Sequence, residues 1–219
     1  MDLIYVSSKS RIYHSGNKIY KFNCKKIKNN FDNELKIHNI IKQIDSDSII
    51  KVSLVDKYIK MFEMDYYPYN LESYFAQKYS IDINEKQLFN IIYKVTNALK
   101  LLHVNMIIHG DFKAKNIMLD KDYNPIIIDF DLSINYDNYN INDLGSNNIK
   151  EEIDEGIKDD IKKLKFLVYQ LLYKVEYNPK LYNNYNKIIK RIENEHSELA
   201  NAFIESNIDG IISYFKKLI

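Results

Sequence analysis

The chain has 219 residues, 46% of them hydrophobic and 28% charged, which suits one domain or one two-lobed unit with a substantial core. Lys and Arg number 31 against 30 Asp and Glu, a net charge of +1 that argues against a general nucleic-acid coat or a polybasic membrane anchor. A single cysteine, Cys24, excludes an intrachain disulfide and a paired-cysteine metal site, and fits a reducing compartment.

The amino-terminal Met1-Asp-Leu-Ile-Tyr5 lacks the charged-then-apolar build of a signal peptide. No apolar run reaches the roughly 18–20 residues needed to span a bilayer. The expectation is a soluble, cytoplasmic protein with no nucleic-acid or membrane partner. Asn, Ile, Lys and Tyr are used heavily beside 5 Gly, 3 Pro and no Trp, a bias that suits an AT-rich genome such as that of some large DNA viruses.

Residues Ile4 to Phe22, rich in Ile, Val, Tyr and Ser, predict a β-hairpin turning at Ser15-Gly-Asn17, with Ile19–Phe22 as the return strand. Phe31, Leu35, Ile37, His38 and Ile41 recur at near-helical spacing, which predicts a helix over Asn30–Ile41. Strands are expected near Ile49–Val55 and Tyr58–Glu63, with the turn at Asp56-Lys57. After Tyr66-Tyr-Pro-Tyr69 the character changes. Asn70 can cap a short helix over Leu71–Gln77. Asn84–His103 reads as a long amphipathic helix with Leu88, Ile91, Ile92, Val95, Leu99 and Leu102 on one face. Short strands over Ile117–Leu119 and Pro125–Asp129 flank a turn at Asp122-Tyr-Asn124. Asp131–Asp159 is polar and weakly periodic and reads as a long loop. Asp160–Tyr173 is a strongly apolar helix, followed by helical segments over Tyr182–Glu198 and Asn201–Leu218. The fold class is α+β: a β-rich lobe over 1–65 and a helical lobe over 66–219, with a cleft between them.

Chemistry concentrates in His109-Gly-Asp-Phe-Lys-Ala-Lys-Asn116 and in Ile126-Ile-Ile-Asp-Phe-Asp131. Asp, Lys and Asn on one loop, with a second Asp about a dozen residues later, can hold a hydroxyl, a phosphoryl group and a divalent metal together. Phosphoryl transfer asks a protein mainly for positioning and charge neutralisation.

With these motifs in this order, the chain resembles the eukaryotic-type protein kinase family, in a compact and divergent form, over roughly Ile4 to Leu172. The helix opened by Asp160 is similar to the family's central helix, and Glu63-Met64-Asp65 sits at its hinge. The resemblance implies ATP and Mg2+ as cofactors and seryl or threonyl hydroxyls of a protein substrate as acceptors. It casts Asp111 as the residue that accepts the substrate proton and Lys113 as the cation on the transferring phosphoryl group. Asn116 and Asp129 would hold magnesium. Lys21 would grip the α- and β-phosphates, with Glu34 as its ion-pair partner. The hinge backbone at Glu63 and Asp65 would bond adenine, and Ile12, Ile19 and Met118 would sandwich the ring.

Several positions depart from the family pattern. The phosphate-covering stretch Val6–Ser10 has no glycine, which predicts weaker nucleotide affinity. Asp131 stands where the family has glycine, as in small-molecule kinases of the aminoglycoside and choline type. Gly110 replaces the usual arginine, so activity is not expected to depend on a phosphosite in Ser133–Gly156. Glu151 or Glu152, paired with Arg191, is a candidate for the glutamate of the unreadable Ala-Pro-Glu signature. His109 reads as a brace for its loop, and the Lys/Glu runs of 150–165 as solvated helix faces. A small-molecule kinase, or a pseudokinase acting as a binding module, are the alternative readings.

Overall fold

Three strands, where one hairpin is expected, fill the amino-terminal stretch: β1 (Asp2–Val6), β2 (Ser10–Ser15) and β3 (Lys18–Asn23). The extra break falls in a turn closed by serine: Ser7 N–H donates to Ser10 O at 2.9 Å, and Ser10 N–H donates to Ser7 Oγ at 2.9 Å. The computed structural model describes residues 1–8, 10–23, 28–74, 82–136, 147–176 and 184–219. With β4 (Val52–Asp56) and β5 (Met61–Asp65), the strands form an antiparallel sheet in the order β1-β2-β3-β5-β4. The β4–β5 turn lies two to three residues later than the sequence suggests. Asp56 Oδ1 sets it by accepting Tyr58 N–H at 2.7 Å and Ile59 N–H at 3.0 Å.

Helix α1 (Lys28–Ile41) packs on this sheet through Phe31, Ile37 and Ile41, and Phe31 stacks on Phe62 of β5 with ring centroids 5.0 Å apart. The sheet joins the rest of the chain through Ile50 N–H to Ile127 O at 3.0 Å and Ile127 N–H to Ser48 O at 2.9 Å.

The second half begins with β6 (Tyr69–Asn70) and a 3-10 turn at Leu71–Tyr74, and the rest of the helix expected to Gln77 lies outside the described residues. Helix α2 (Glu85–Val104) carries a capping box in which Asn84 and Gln87 each accept from the other's backbone N–H. Its predicted apolar face is buried. β7 (Ile107–Ile108) pairs with β10 (Ile134–Asn135), and β8 (Ile117–Leu119) lies between β6 and β9 (Pro125–Ile127).

Helix α3 runs from Asn147 to Tyr173, so half of the expected Asp131–Asp159 loop is helical; 137–146 lie outside the described residues. The added turns are rich in Glu and Lys, good helix formers with little apolar periodicity to reveal them. Gly156 lets the helix approach β7, since a Cβ there would lie 2.3 Å from Ile108 Cδ1. The face expected to be solvated is only partly so, because Lys165 is buried and donates to Ser206 Oγ at 2.8 Å. Three helices close the chain: α4 (Tyr185–Glu195), α5 (Ser197–Ile204) and α6 (Ile208–Lys216). The helix expected over Asn201–Leu218 breaks where Asn207 caps a new one, its Oδ1 accepting Gly210 N–H at 2.9 Å. Arg191 does not reach the expected glutamate: its guanidinium lies 4.0 Å over the Tyr173 ring.

Candidate active site

β7 delivers the chain directly into the loop 109–116, and α3 fixes that loop from beneath. Asp160, fully buried, accepts His109 N–H at 2.8 Å and Gly110 N–H at 3.0 Å, and contacts His103 Nε2 at 3.1 Å. Burial alone would raise the Asp160 pKa, but the His103 hydrogen bond, the His109 ring and the His109 backbone N–H outweigh it and hold it below the ordinary carboxylate value. His109 is also fully buried, which pushes its pKa down despite the neighbouring carboxylates. The network assigns the neutral tautomer with the proton on Nε2, donating to Ile128 O at 3.1 Å, while Nδ1 accepts Asp111 N–H at 3.3 Å. The loop is therefore braced by His109, with no proton to exchange there.

Gly110 has φ 79°, and a Cβ would lie 2.5 Å from Leu132 O. Any side chain here would be strained and would have to shift the Leu132 backbone, an arginine included.

Three predicted groups meet on the loop. Lys113 Nζ donates to Asp111 Oδ2 at 2.6 Å. Asn116 Nδ2 donates to Asp111 O at 2.8 Å and Oδ2 at 3.0 Å. The Asn116 amide hydrogens are thus directed to Asp111, leaving Oδ1 as its acceptor toward a cation. Ile128 N–H donates to Asn116 O at 2.9 Å, bringing the start of the Asp129 segment beside this group. Asp129 adopts φ 67°, a strained conformation for a residue with a Cβ.

Lys21 faces this group from β3. Its Nζ donates to Glu34 Oε1 at 2.8 Å, lies 3.7 Å from Asp129 Oδ1, and donates to Asp131. Burial alone would lower the Lys21 pKa, but Glu34, Asp131 and Asp129 outweigh it and hold the amine charged. For Glu34, burial is outweighed by the His38 hydrogen bond and by Lys21, so its carboxyl stays well below the usual range. Asp131 is pushed up to about 6 by burial and by Glu34 and Asp129, against the pull of Lys21. Asp131, Asp160, His38 and Asn23, which donates to Glu34 Oε2 at 2.9 Å, are site residues without an assigned contact in the sequence reading. All except Asp131 and Asp160 lack a sequence signal, since their partners are set by the fold.

Ile12 is directly opposite Lys21 across β2–β3, and Ile19 lies two residues before Lys21, so both share its face of the sheet. Met64, opposite Ile19 on β5, shares that face as well. Met118 is on β8, where Asn70 Nδ2 approaches its sulfur at 3.6 Å. Glu63 does not fit its predicted role. It lies inside β5 between Tyr20 of β3 and Ser53 of β4, so its backbone N–H and C=O belong to the sheet ladder. Asp65 ends that strand, and its side chain accepts from Lys18 at 2.8 Å.

Among the described residues no three His, Cys, Asp or Glu side chains form a ready metal cage. Magnesium needs none: one or two protein oxygens with the nucleotide's phosphates suffice, and Asn116 and Asp129 offer that donor set.

This fold, with a cation held by a helix carboxylate opposite an Asp-Lys-Asn loop, is of the protein kinase type. A family model for the protein kinase domain matches residues 9–148, and the chain belongs to that family. It is similar to "Dual specificity protein kinase zak2" of Dictyostelium discoideum, 31% identical over 121 residues, 51% of this chain and 19% of that protein. It is also similar to "Probable serine/threonine-protein kinase fnkB" of the same organism, 31% identical over 136 residues, 60% of this chain and 25% of that protein. "Putative serine/threonine-protein kinase R436" of Acanthamoeba polyphaga mimivirus is 29% identical over 110 residues, 50% of this chain and 36% of that protein. The matches thus span between a fifth and about a third of these relatives.

Proposed function

We propose that the protein transfers the γ-phosphoryl group of ATP to seryl or threonyl hydroxyls of a protein substrate, using a cleft between a lobe of residues 1–65 and a lobe of residues 66–219. The observation that carries this reading is the Lys21–Glu34 ion pair at 2.8 Å, set 3.7 Å from Asp129, with the bonded Asp111, Lys113 and Asn116 group on the adjoining loop. Asp111 accepts the acceptor hydroxyl's proton as its oxygen attacks the γ-phosphorus, and ADP leaves with the bridging oxygen's electrons. Lys113, already beside Asp111, keeps that carboxylate oriented and offsets charge on the phosphoryl oxygens. Lys21 orients the α- and β-phosphates. Asn116 and Asp129 would hold Mg2+, which neutralises phosphate charge when bound. Lys113, two positions after Asp111, favours hydroxyls of protein over those of small metabolites, as in the serine/threonine kinases this chain resembles.

The test is transfer of label from ATP with magnesium to protein and small-molecule acceptors, followed by identification of the phosphorylated residue. Phosphoserine or phosphothreonine, lost with Asp111→Ala and Lys21→Met, is expected. Label confined to a metabolite, or on tyrosine alone, refutes the specificity. No transfer by a folded, nucleotide-binding protein refutes the activity.

A further inference from the structure

Lys21 has three N–H bonds to give and three carboxylates around it. Glu34 approaches from α1. Asp129 and Asp131 both come from the segment that follows β9, and Asp131 makes a direct ion pair although it lies 110 residues away in sequence. Lys21 is buried, so its bonds are not diluted by solvent. In the proposed reaction the same amine must bond the α- and β-phosphates.

We propose that Asp131 is an affinity-setting residue: its carboxylate occupies the place at Lys21 that a nucleotide phosphate takes, and binding must displace it. This rests on the kinase reading above. Glu34 stays with Lys21 because Asn23 and His38 also hold it, at 2.9 and 3.5 Å. Asp131 is more exposed than Glu34, 20% against 3%, so it is the ligand that yields. Two costs follow for an incoming nucleotide. The Lys21–Asp131 pair must open, which lowers the apparent affinity by the fraction of molecules in the open form. The displaced carboxylate then stands beside like-charged phosphates. A neutral residue at 131 removes both.

The experiment is calorimetric titration of ATP and ADP, with and without magnesium, into wild type, Asp131→Asn, Lys21→Met and the double variant. Asp131→Asn is expected to bind ATP about tenfold more tightly in low salt. The gain should widen without magnesium, when the phosphates carry more net charge, and narrow at high salt. In the Lys21→Met background it should fall to about twofold or less, because the contested amine is gone. Thermal melts confirm that each variant is folded, and Asp131→Ser carries the same expectation if the Asn protein is not. Unchanged or weaker ATP binding by both neutral variants, with wild type binding ATP, overturns the role of Asp131 and leaves the kinase reading intact. Failure of folded wild type and neutral variants alike to bind any nucleotide overturns both.

Discussion

Replacing Asp160 with alanine is expected to lower stability and activity together, because one buried carboxylate holds two backbone groups of the loop 109–116. His109 and Gly110 N–H donate to it at 2.8 and 3.0 Å, and they would be left without this acceptor, the first fully and the second partly buried. An unsatisfied buried donor costs about 1–3 kcal/mol, and bonds to a charged acceptor lie at the upper end. Losing the His103 contact adds to this. The expected loss is about 3–5 kcal/mol, a large share of the roughly 5–15 kcal/mol that holds a typical domain together. Asparagine does not rescue it. Its amide presents a donor where one of the two N–H groups needs an acceptor, so Asp160→Asn should cost a similar amount. Urea unfolding checks this: at a slope of about 2 kcal/mol per M, the midpoint falls by about 1.5–2.5 M. In kinetics, kcat should fall more than the affinity for ATP, since Asp111 follows directly on Gly110 while Lys21 is held from the other lobe. A loss below about 1 kcal/mol with kcat unchanged would refute the claim that α3 positions the loop.

Gly110→Ala should destabilise by about 2–4 kcal/mol, through positive φ and a Cβ only 2.5 Å from Leu132 O, and Gly110→Arg by more; a melting temperature within a degree of wild type for either contradicts this. His109 has a folded pKa depressed below the unfolded 6.5, so its stabilisation is complete above that pH and is lost as pH falls; the slope between pH 7.5 and 5 should be shallower in His109→Gln, and identical slopes refute the assignment. Lys165 is pushed down to about 8 by burial, so the unfolded chain binds the proton more tightly and stability rises as pH climbs from about 8 towards 10.5. Lys165→Met should abolish that rise and stabilise the protein at pH 7 by about 1–2 kcal/mol, measured by urea unfolding; a destabilised Met variant contradicts it.

What the sequence reveals and what it hides divide along the range of the interactions. The loop 109–116 is legible because Asp111, Lys113 and Asn116 lie within six residues and bond one another directly. Helix α2 is legible from its apolar stripe. The turn at Ser7–Ser10 and the Asp56 turn are local too, but they are made by side chains that sit as readily in strands or loops. The first turns of α3 have propensity without periodicity, so their polar residues read as loop. Glu63 reads as a hinge residue through the family resemblance, whereas strand pairing on both sides decides where its backbone points. The Lys21–Asp131 pair depends on a contact between residues 110 apart, which no local pattern encodes.

That contact ties β3 to the segment after β9, and others tie α1 to the same segment. Asn33 Nδ2 donates to Ser133 O at 2.9 Å, and the His38 ring meets Phe130 edge-on at 5.6 Å. Phe130 in turn lies 5.1 Å from His109, and His38 lies 5.5 Å from Phe62 of β5. The rings form an unbroken packed path from the sheet, through α1, to His109 of the loop 109–116. Packed rings do not slide independently, so a shift of α1 that separates Glu34 from Lys21 must also disturb Phe130 and the Asp129 and Asp131 carboxylates beside it. His38 joins both routes, since its ring packs on Phe130 while Nε2 lies 3.5 Å from Glu34 Oε1. The position of Lys21 is therefore set by two lobes at once. Charge balance at its amine is the place where the state of the helix and the state of the segment meet.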